Sequence, residues 1–159
     1  MILSRVEPSE YREYGELYNE YEEYLCCEVE PREDNCFDWG TFYVYWNDVK
    51  HKHYFVRHEG KVCGFICICT GKLPYGADYY IVDTYIRPEY QGQGMGLWMV
   101  HEIQNLYHGT AILQIKWGNA RAKRFWKKAF EGYECLRDRV SYLDNDWCLT
   151  TAYRKIFKN

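Results

Sequence analysis

Residues 91–96 read Gln-Gly-Gln-Gly-Met-Gly, between an apolar run ending at Ile86 and a segment in which Leu97, Val100, Ile103, Leu106 and Tyr107 recur at helical steps. Gly92, Gly94 and Gly96 carry no Cβ, so the chain can bend sharply there, visit positive φ and converge its N–H groups on an anion. The following helix begins at the same place. Its first N–H groups have no partner inside the helix, and the helix dipole adds to their attraction for a diphosphate. The chemistry on offer is the grip on a phosphate-bearing carrier. Spacing separates the known loops of this kind. A dinucleotide-binding turn needs a glycine where Leu97 stands, and a triphosphate loop needs Gly-Lys-Ser/Thr where Met95 and Gly96 follow Gly94. A glycine turn that merely joins a strand to a helix stays open at this point.

Gln91, Gly94 and Gly96 fit the pattern [QR]-x-x-G-x-[GA]. Further on, residues 111–133 give a short apolar strand, an Asn and a helix, in which Asn119, Ala122, Phe125 and Trp126 fit N-x-x-A-x-x-F-[YW]. In this order the two segments resemble the acyl-coenzyme A binding motifs of the GCN5-related N-acetyltransferase (GNAT) superfamily, and the order of elements extends the resemblance over essentially the whole chain. The run from Phe42 to Phe65, with Phe-Trp in the second motif, also resembles a branch of predicted acetyltransferases.

The resemblance implies an α/β (α+β) GNAT fold: a mixed, mostly antiparallel central sheet of six or seven strands, helices on both faces, and a splayed strand pair holding the cofactor. That cofactor would be acetyl-coenzyme A. Backbone groups of Tyr85, Ile86 and Arg87 would pair with its pantetheine arm, and an N–H near Ile86 would polarise the thioester carbonyl. Gln91, Gly92, Gln93, Gly94, Met95 and Gly96 would form the pyrophosphate loop, with Gln91 either touching phosphate or capping the turn. Asn119, Phe125 and Trp126 would border the pantetheine.

Proton handling is the open part of the site. Many family members place a tyrosine acid where this chain has Trp126, whose indole N–H is no acid. Asp83 is the candidate base, directly or through water, against the plainer role of a charged strand-end residue. Tyr133 and Tyr85 are weaker options for the acid. Gln114 occupies a position where an N-terminus-acetylating branch carries a glutamate. No metal site is expected: His51, Lys52 and His53 lack a third ligand at zinc spacing and read as a solvated turn. Two readings follow, an N-acetyltransferase acting on a primary amine by direct attack, and a non-catalytic acyl-coenzyme A sensor or docking module.

The elements that must position these residues are legible from periodicity. Strands are predicted at 2–6, 54–58, 62–70, 79–86, 133–140 and 150–157, with Glu59-Gly60 as a hairpin turn and Asp-Asn-Asp as the last turn. Tyr11, Tyr14, Tyr18, Tyr21 and Leu25 mark a helix whose aromatic stripe reads as core, and a short helix is predicted near 42–48. The 159 residues, 47% hydrophobic, suit a single domain, 1–159. The eight cysteines form no C-x-x-C pair, and Cys63, Cys67 and Cys69 share the parity of Phe65 as buried reduced thiols, which points to a cytoplasmic protein. No membrane segment or leader is read, and the protein is expected as a monomer or homodimer. Residues 1–50 hold 13 acidic against four basic side chains, a net of −9, while 51–159 carry +6. The acidic half, with Glu20, Glu22, Glu23, Glu28, Glu30, Glu33 and Asp34, argues against nucleic acid and for a cationic small-molecule or peptide amine as acceptor. The basic run of Lys116, Arg121, Lys123, Arg124, Lys127 and Lys128 is either a solvated helix face or an attraction for the nucleotide end of coenzyme A.

Overall fold

The computed structural model describes residues 1–26, 37–143 and 146–156. Strand β1 (Ile2–Arg5) leads into α1 (Tyr11–Tyr24) and α2 (Trp39–Asn47), the latter opened by Asp38, whose carboxylate accepts the Thr41 N–H at 2.7 Å. Then come β2 (His51–His58), β3 (Lys61–Thr70), β4 (Tyr79–Ile86), α3 (Met95–Leu106), β5 (Thr110–Lys116), α4 (Ala120–Ala129), β6 (Tyr133–Leu143) and β7 (Asp146–Lys155). The β2–β3 turn has positive φ at both Glu59 and Gly60, the mirror-image turn that matches strand twist and that the Glu-Gly pair favours.

The strands form one seven-stranded mixed sheet in the order β1-β2-β3-β4-β5-β7-β6. Every neighbouring pair is antiparallel except β4 and β5. That parallel pair holds only from Tyr79–Ile81 against Ala111–Leu113. Immediately afterwards β4 carries an extra residue: Ile81 stands opposite Ile68 and Asp83 opposite Cys67, leaving Val82 as a bulge. A bulge bends and overtwists its strand, so β4 follows β3 and leaves β5 behind. The splay starts where the bulge lies.

Two cores cover the two faces. Ile66, Ile68, Ile81, Val100, Ile103 and Leu113 pack with Trp126 under α3 and α4, while Tyr14, Leu17, Phe42, Phe55, Phe65 and Tyr85 pack under α1 and α2. Gly64 lets the inner strands approach: a Cβ there would strike the Tyr85 carbonyl oxygen, the Ile86 backbone and its side chain.

Some expectations give way. Cys63 does not share a face with Phe65, because a second irregularity, between Val56 and Arg57, turns it into the α3 side core, while Cys67 stays beside Tyr14 of α1 and Tyr45 of α2. His51 and His53 lie on β2 rather than in a solvated turn, and His53 is 3% exposed. The last strand begins at Asp146, earlier than expected. Residues 144 and 145 of the Asp-Asn-Asp turn, and Glu28, Glu30, Glu33 and Asp34, lie outside the described residues. Among those described, no three His, Cys, Asp or Glu side chains are grouped to hold a metal, and no helix is long and apolar enough to cross a membrane.

His53 makes a stability test. Its Nδ1 lies 3.0 Å from the Tyr14 hydroxyl and Trp46 stacks on the ring. Burial, with His51, Arg5 and Lys52 nearby, pushes the imidazole down to about 3. The unfolded chain protonates this histidine from about pH 6.5 downward and the folded one does not, so stability is full above pH 6.5 and falls as acid is added. Denaturant unfolding is expected to show a loss of about 2 kcal/mol between pH 7 and pH 5. In His53→Phe most of that loss should vanish.

Candidate active site

The glycine turn is built by three different devices. Residues Pro88–Tyr90 form one tight helical turn, and Gln91 closes the segment, its Nε2 donating to the Ile86 carbonyl at 2.7 Å. Gly92 and Gly94 then take φ of 75° and 82°, which side chains other than glycine rarely adopt, and a Cβ on either would meet nothing within 4 Å. Gly94 caps α3, and the Trp98 N–H makes the first helical bond to its carbonyl at 3.0 Å. The N–H groups of Met95, Gly96 and Leu97 therefore have no partner within the helix and crown its positive end. Gly96 serves another purpose. It is helical, and a Cβ there would come within 3.1 Å of the Phe125 ring, so its bareness lets α3 and α4 close on each other.

From this helix end a cleft of about 860 Å³ runs between the splayed β4 and β5 to the C-terminal half of α1. Strand alternation decides which backbone groups face it. The Arg87 N–H donates to Cys63 at 2.9 Å and the Tyr85 carbonyl points at Gly64, so both residues turn their backbones to β3. Thr84 and Ile86, between and beside them, turn theirs to the cleft. Of the three strand residues expected along a pantetheine arm, Ile86 alone offers its backbone, and Tyr85 offers its ring.

The other sequence-derived residues sort themselves by position. Gln91, Gly92, Gly94, Gly96, Asn119, Phe125 and Trp126 line the cleft. Asn119 does so while capping α4, its side-chain oxygen accepting the Ala122 N–H at 2.9 Å. Arg87 does not reach it: its guanidinium makes a paired bond to Glu20 at 2.8 and 2.7 Å and a third to the Val62 carbonyl. Gln93 turns back to the Glu89 carbonyl, and Met95 is a core residue at 4% exposure. Tyr133 packs edge-on against Phe130 at the start of β6, away from the cleft. Tyr85 is held protonated by burial and by Glu20, which push its hydroxyl up to about 12.

Asp83 lines the cleft beside the bulge, and three tyrosines point their hydroxyls at it. Tyr18 donates to Oδ2 at 2.9 Å, Tyr45 to the same oxygen at 3.2 Å, and Tyr21 to Oδ1 at 3.1 Å. Burial raises the carboxyl above its ordinary range, and the three hydroxyl donors pull against that rise. Tyr18 and Tyr21 belong to the stripe that periodicity marks as core, and Tyr45 comes from α2. Arg121 was legible as a basic residue but not for its reach. Its guanidinium spans the mouth of the cleft, donating to Gln91 Oε1 at 2.6 Å and to the Tyr24 hydroxyl at 3.2 Å. Lys116 and Lys128 line the same cleft, so half of the basic run faces it.

The model of the acetyltransferase (GNAT) family matches residues 12–131. Among solved structures, the fold is similar to an acetyltransferase from Thermus thermophilus at TM-score 0.67 and 14% identity, covering 96% of each chain. It is similar to a GCN5-related N-acetyltransferase from Rhodopseudomonas palustris at 0.66 and 16%, covering 98% of this chain and 95% of that one. A chimera of the spermidine N-acetyltransferase SpeG from Vibrio cholerae with hSSAT aligns at 0.64 and 13%, over 97% and 95%. At such identities the likeness is one of fold. Comparison with curated proteins finds no match.

The glycine turn is testable without any assay of turnover. Gly94→Val forces a branched side chain into positive φ at a cost of about 1–3 kcal/mol, with no packing clash, so Tm is expected to fall by only several degrees. The added side chain would occupy cleft that Gly94 lines, and calorimetric affinity for coenzyme A is expected to drop at least tenfold.

Proposed function

The chain belongs to the GNAT acetyltransferase family, and on that premise we propose that it transfers an acetyl group from acetyl-coenzyme A to the primary amine of a cationic acceptor, by direct attack in a ternary complex. The observation that carries this reading is the cleft that begins at the bare amides of α3 and ends at a half-buried carboxylate, Asp83. One end suits a diphosphate and the other an amine.

The residues present fit the donor. The N–H groups opening α3 and the Gly92–Gly94 turn would hold its pyrophosphate, with Lys116, Arg121 and Lys128 supplying charge. Ile86 would pair with the pantetheine arm, and its N–H would face the developing oxyanion. Acetyl-coenzyme A supplies the acetyl group as a thioester: a C–N bond to the acceptor forms, the C–S bond breaks and the thiol leaves. An amine attacks only when neutral, so one proton must leave the acceptor nitrogen first. Asp83 takes that proton. Its environment raises its proton affinity above that of an ordinary carboxylate, in the direction a base working near neutrality needs.

Recognition of a cation rests on charge and rings at the acceptor end. Glu22 lines the cleft together with Tyr21, Tyr24 and Tyr85, whose faces attract ammonium groups. Glu20, which sequence counts among the acidic wall, is neutralised by Arg87. A polyamine, an aminoglycoside-like amine or a lysine side chain meets these requirements, and the likeness in fold to a spermidine N-acetyltransferase supports the first of these. The alternative, an acyl-coenzyme A binding module without turnover, is favoured by Trp126: it stands in the cleft where many relatives hold an acid, and it brings no proton.

Thiol release across a panel of amines separates the readings. Cationic amines are expected to exceed neutral amino acids in kcat/KM by at least tenfold, and Asp83→Asn should lower kcat by about 10²–10⁴. The acid limb of the wild-type profile should lie above the ordinary carboxylate range, with rate lost as pH falls through it. Coenzyme A binding with no thiol release from any amine would leave the binding module standing; better turnover of neutral amines would remove the cationic acceptor.

A further inference from the structure

Asp83 is reached by three hydroxyls, yet they are not equivalent. Tyr18 and Tyr45 converge on Oδ2 from the interior, where Tyr18 packs against Phe42 and Phe65 and Tyr45 against Phe42 and His51. Tyr21 bonds the other oxygen, Oδ1, and it alone of the three lines the cleft. Its ring is held between Phe65 and Tyr85, at centroid distances of 5.5 and 5.7 Å, which fixes the direction of the hydroxyl.

We propose that Tyr21 is the catalytic residue that touches the acceptor amine and relays its proton to Asp83. The step is a double transfer. The N–H bond of the acceptor ammonium breaks as the Tyr21 oxygen gains that proton, and the Tyr21 O–H bond breaks as Asp83 Oδ1 gains the other. The pair starts as ammonium and carboxylate and ends as neutral amine and carboxylic acid, so charge and atoms balance and tyrosine emerges unchanged. A hydroxyl is suited to this because it carries one donor and two acceptor positions at once. Tyr18 and Tyr45 hold the carboxylate in place and act as positioning residues. The relay rests on the acetyl-transfer reading and deepens it, by placing a neutral hydroxyl, not a charge, against the reacting nitrogen.

The groups facing Asp83 are Tyr14, Tyr18 and Tyr21 from α1, Tyr45 from α2, His51 from β2 and Cys67 from β3. Removing any one tyrosine hydroxyl that bonds it takes away a donor that favours the carboxylate, so the Asp83 titration should move to higher pH. Carbon-13 NMR of the labelled carboxyl, in protein without acetyl-coenzyme A, reads this directly. Tyr21→Phe and Tyr45→Phe are both expected to raise the midpoint. They should part in turnover: above the midpoint, Tyr21→Phe is expected to lose at least thirtyfold in kcat, whereas Tyr45→Phe moves the acid limb upward and loses less than fivefold on the plateau. Each variant lacks only a hydroxyl, and Tm checks that the ring still packs; should Tyr21→Phe fail to fold, Tyr21→His takes its place, expected to keep more kcat than Asp83→Asn. Equal plateaus for the two Phe variants, or an Asp83 midpoint unmoved in Tyr21→Phe, would overturn the relay. Absence of thiol release by the wild type with every amine would instead remove the transfer reading beneath it.

Discussion

One unpaired residue in β4 organises the molecule. Up to Ile81 the strand is bonded on both sides, to β3 and to β5; from Val82 onward it follows β3 alone. The parallel partner is left with open backbone, and in an ordinary sheet that would be a costly edge in need of cover. Here the edge is the product. Ile86 and Thr84 turn their backbones toward the cleft, the Ile86 carbonyl already bonded by Gln91, and a strand-like ligand can supply bonds that β5 no longer makes. The same bulge keeps Asp83 on the face of Phe65 and Tyr85 while Ile81 enters the opposite core. Without the extra residue, period-two alternation would carry Asp83 into the apolar face under α3.

A carboxylate set half inside a protein must be held by donors, because desolvation of the charge is otherwise opposed by nothing. The sequence meets that demand with tyrosines, whose rings are core and whose hydroxyls are polar. This reconciles two facts that look contradictory in the sequence, a helix with an apolar periodicity and a candidate base lying beneath it. Periodicity sees the rings and not the oxygens.

The same distinction explains what was legible and what was not. Seven strands, the helices and their order follow from alternation, capping and turn residues, all local properties; Glu59-Gly60 and Asn119 declare their roles by type alone. The glycine turn was readable because glycine at positive φ is a backbone demand that leaves a mark in sequence. Gly96 shows the limit: its spacing fits the motif, but its reason is the Phe125 ring across the α3–α4 contact. Bulges leave no such mark, so the parity of Cys63 was misassigned and the cause of the splay stayed hidden. Arg87 and Tyr133 lie off the cleft for different reasons: the Arg87 side chain is turned by Glu20, distant in the chain, while Tyr133 packs edge-on against Phe130 at the end of the helix just before it.

Helix α1 gathers these distant partners on one face. Tyr18 and Tyr21 bond Asp83 and Tyr24 accepts from Arg121, at three-residue steps along the helix, while Glu20, four residues before Tyr24, pairs with Arg87. All of these contacts reach β4 or the elements flanking the cleft. These contacts therefore wall one end of the cleft as the α3 amides crown the other, and Arg121, bonded to Gln91 on one side and Tyr24 on the other, joins the two. A wall made by a helix fastened to a strand through charge and hydroxyl pairs is stiffer than a loop, because each side chain is fixed by a partner that is itself fixed. In the proposed acetyl transfer, positional precision between amine and thioester is where much of the rate must originate, since groups that act by position contribute only at the correct distance. Helix α1 is in this sense less a store of negative charge than a source of fixed contacts, with Glu20 paired to Arg87 and the tyrosines beside it holding Asp83.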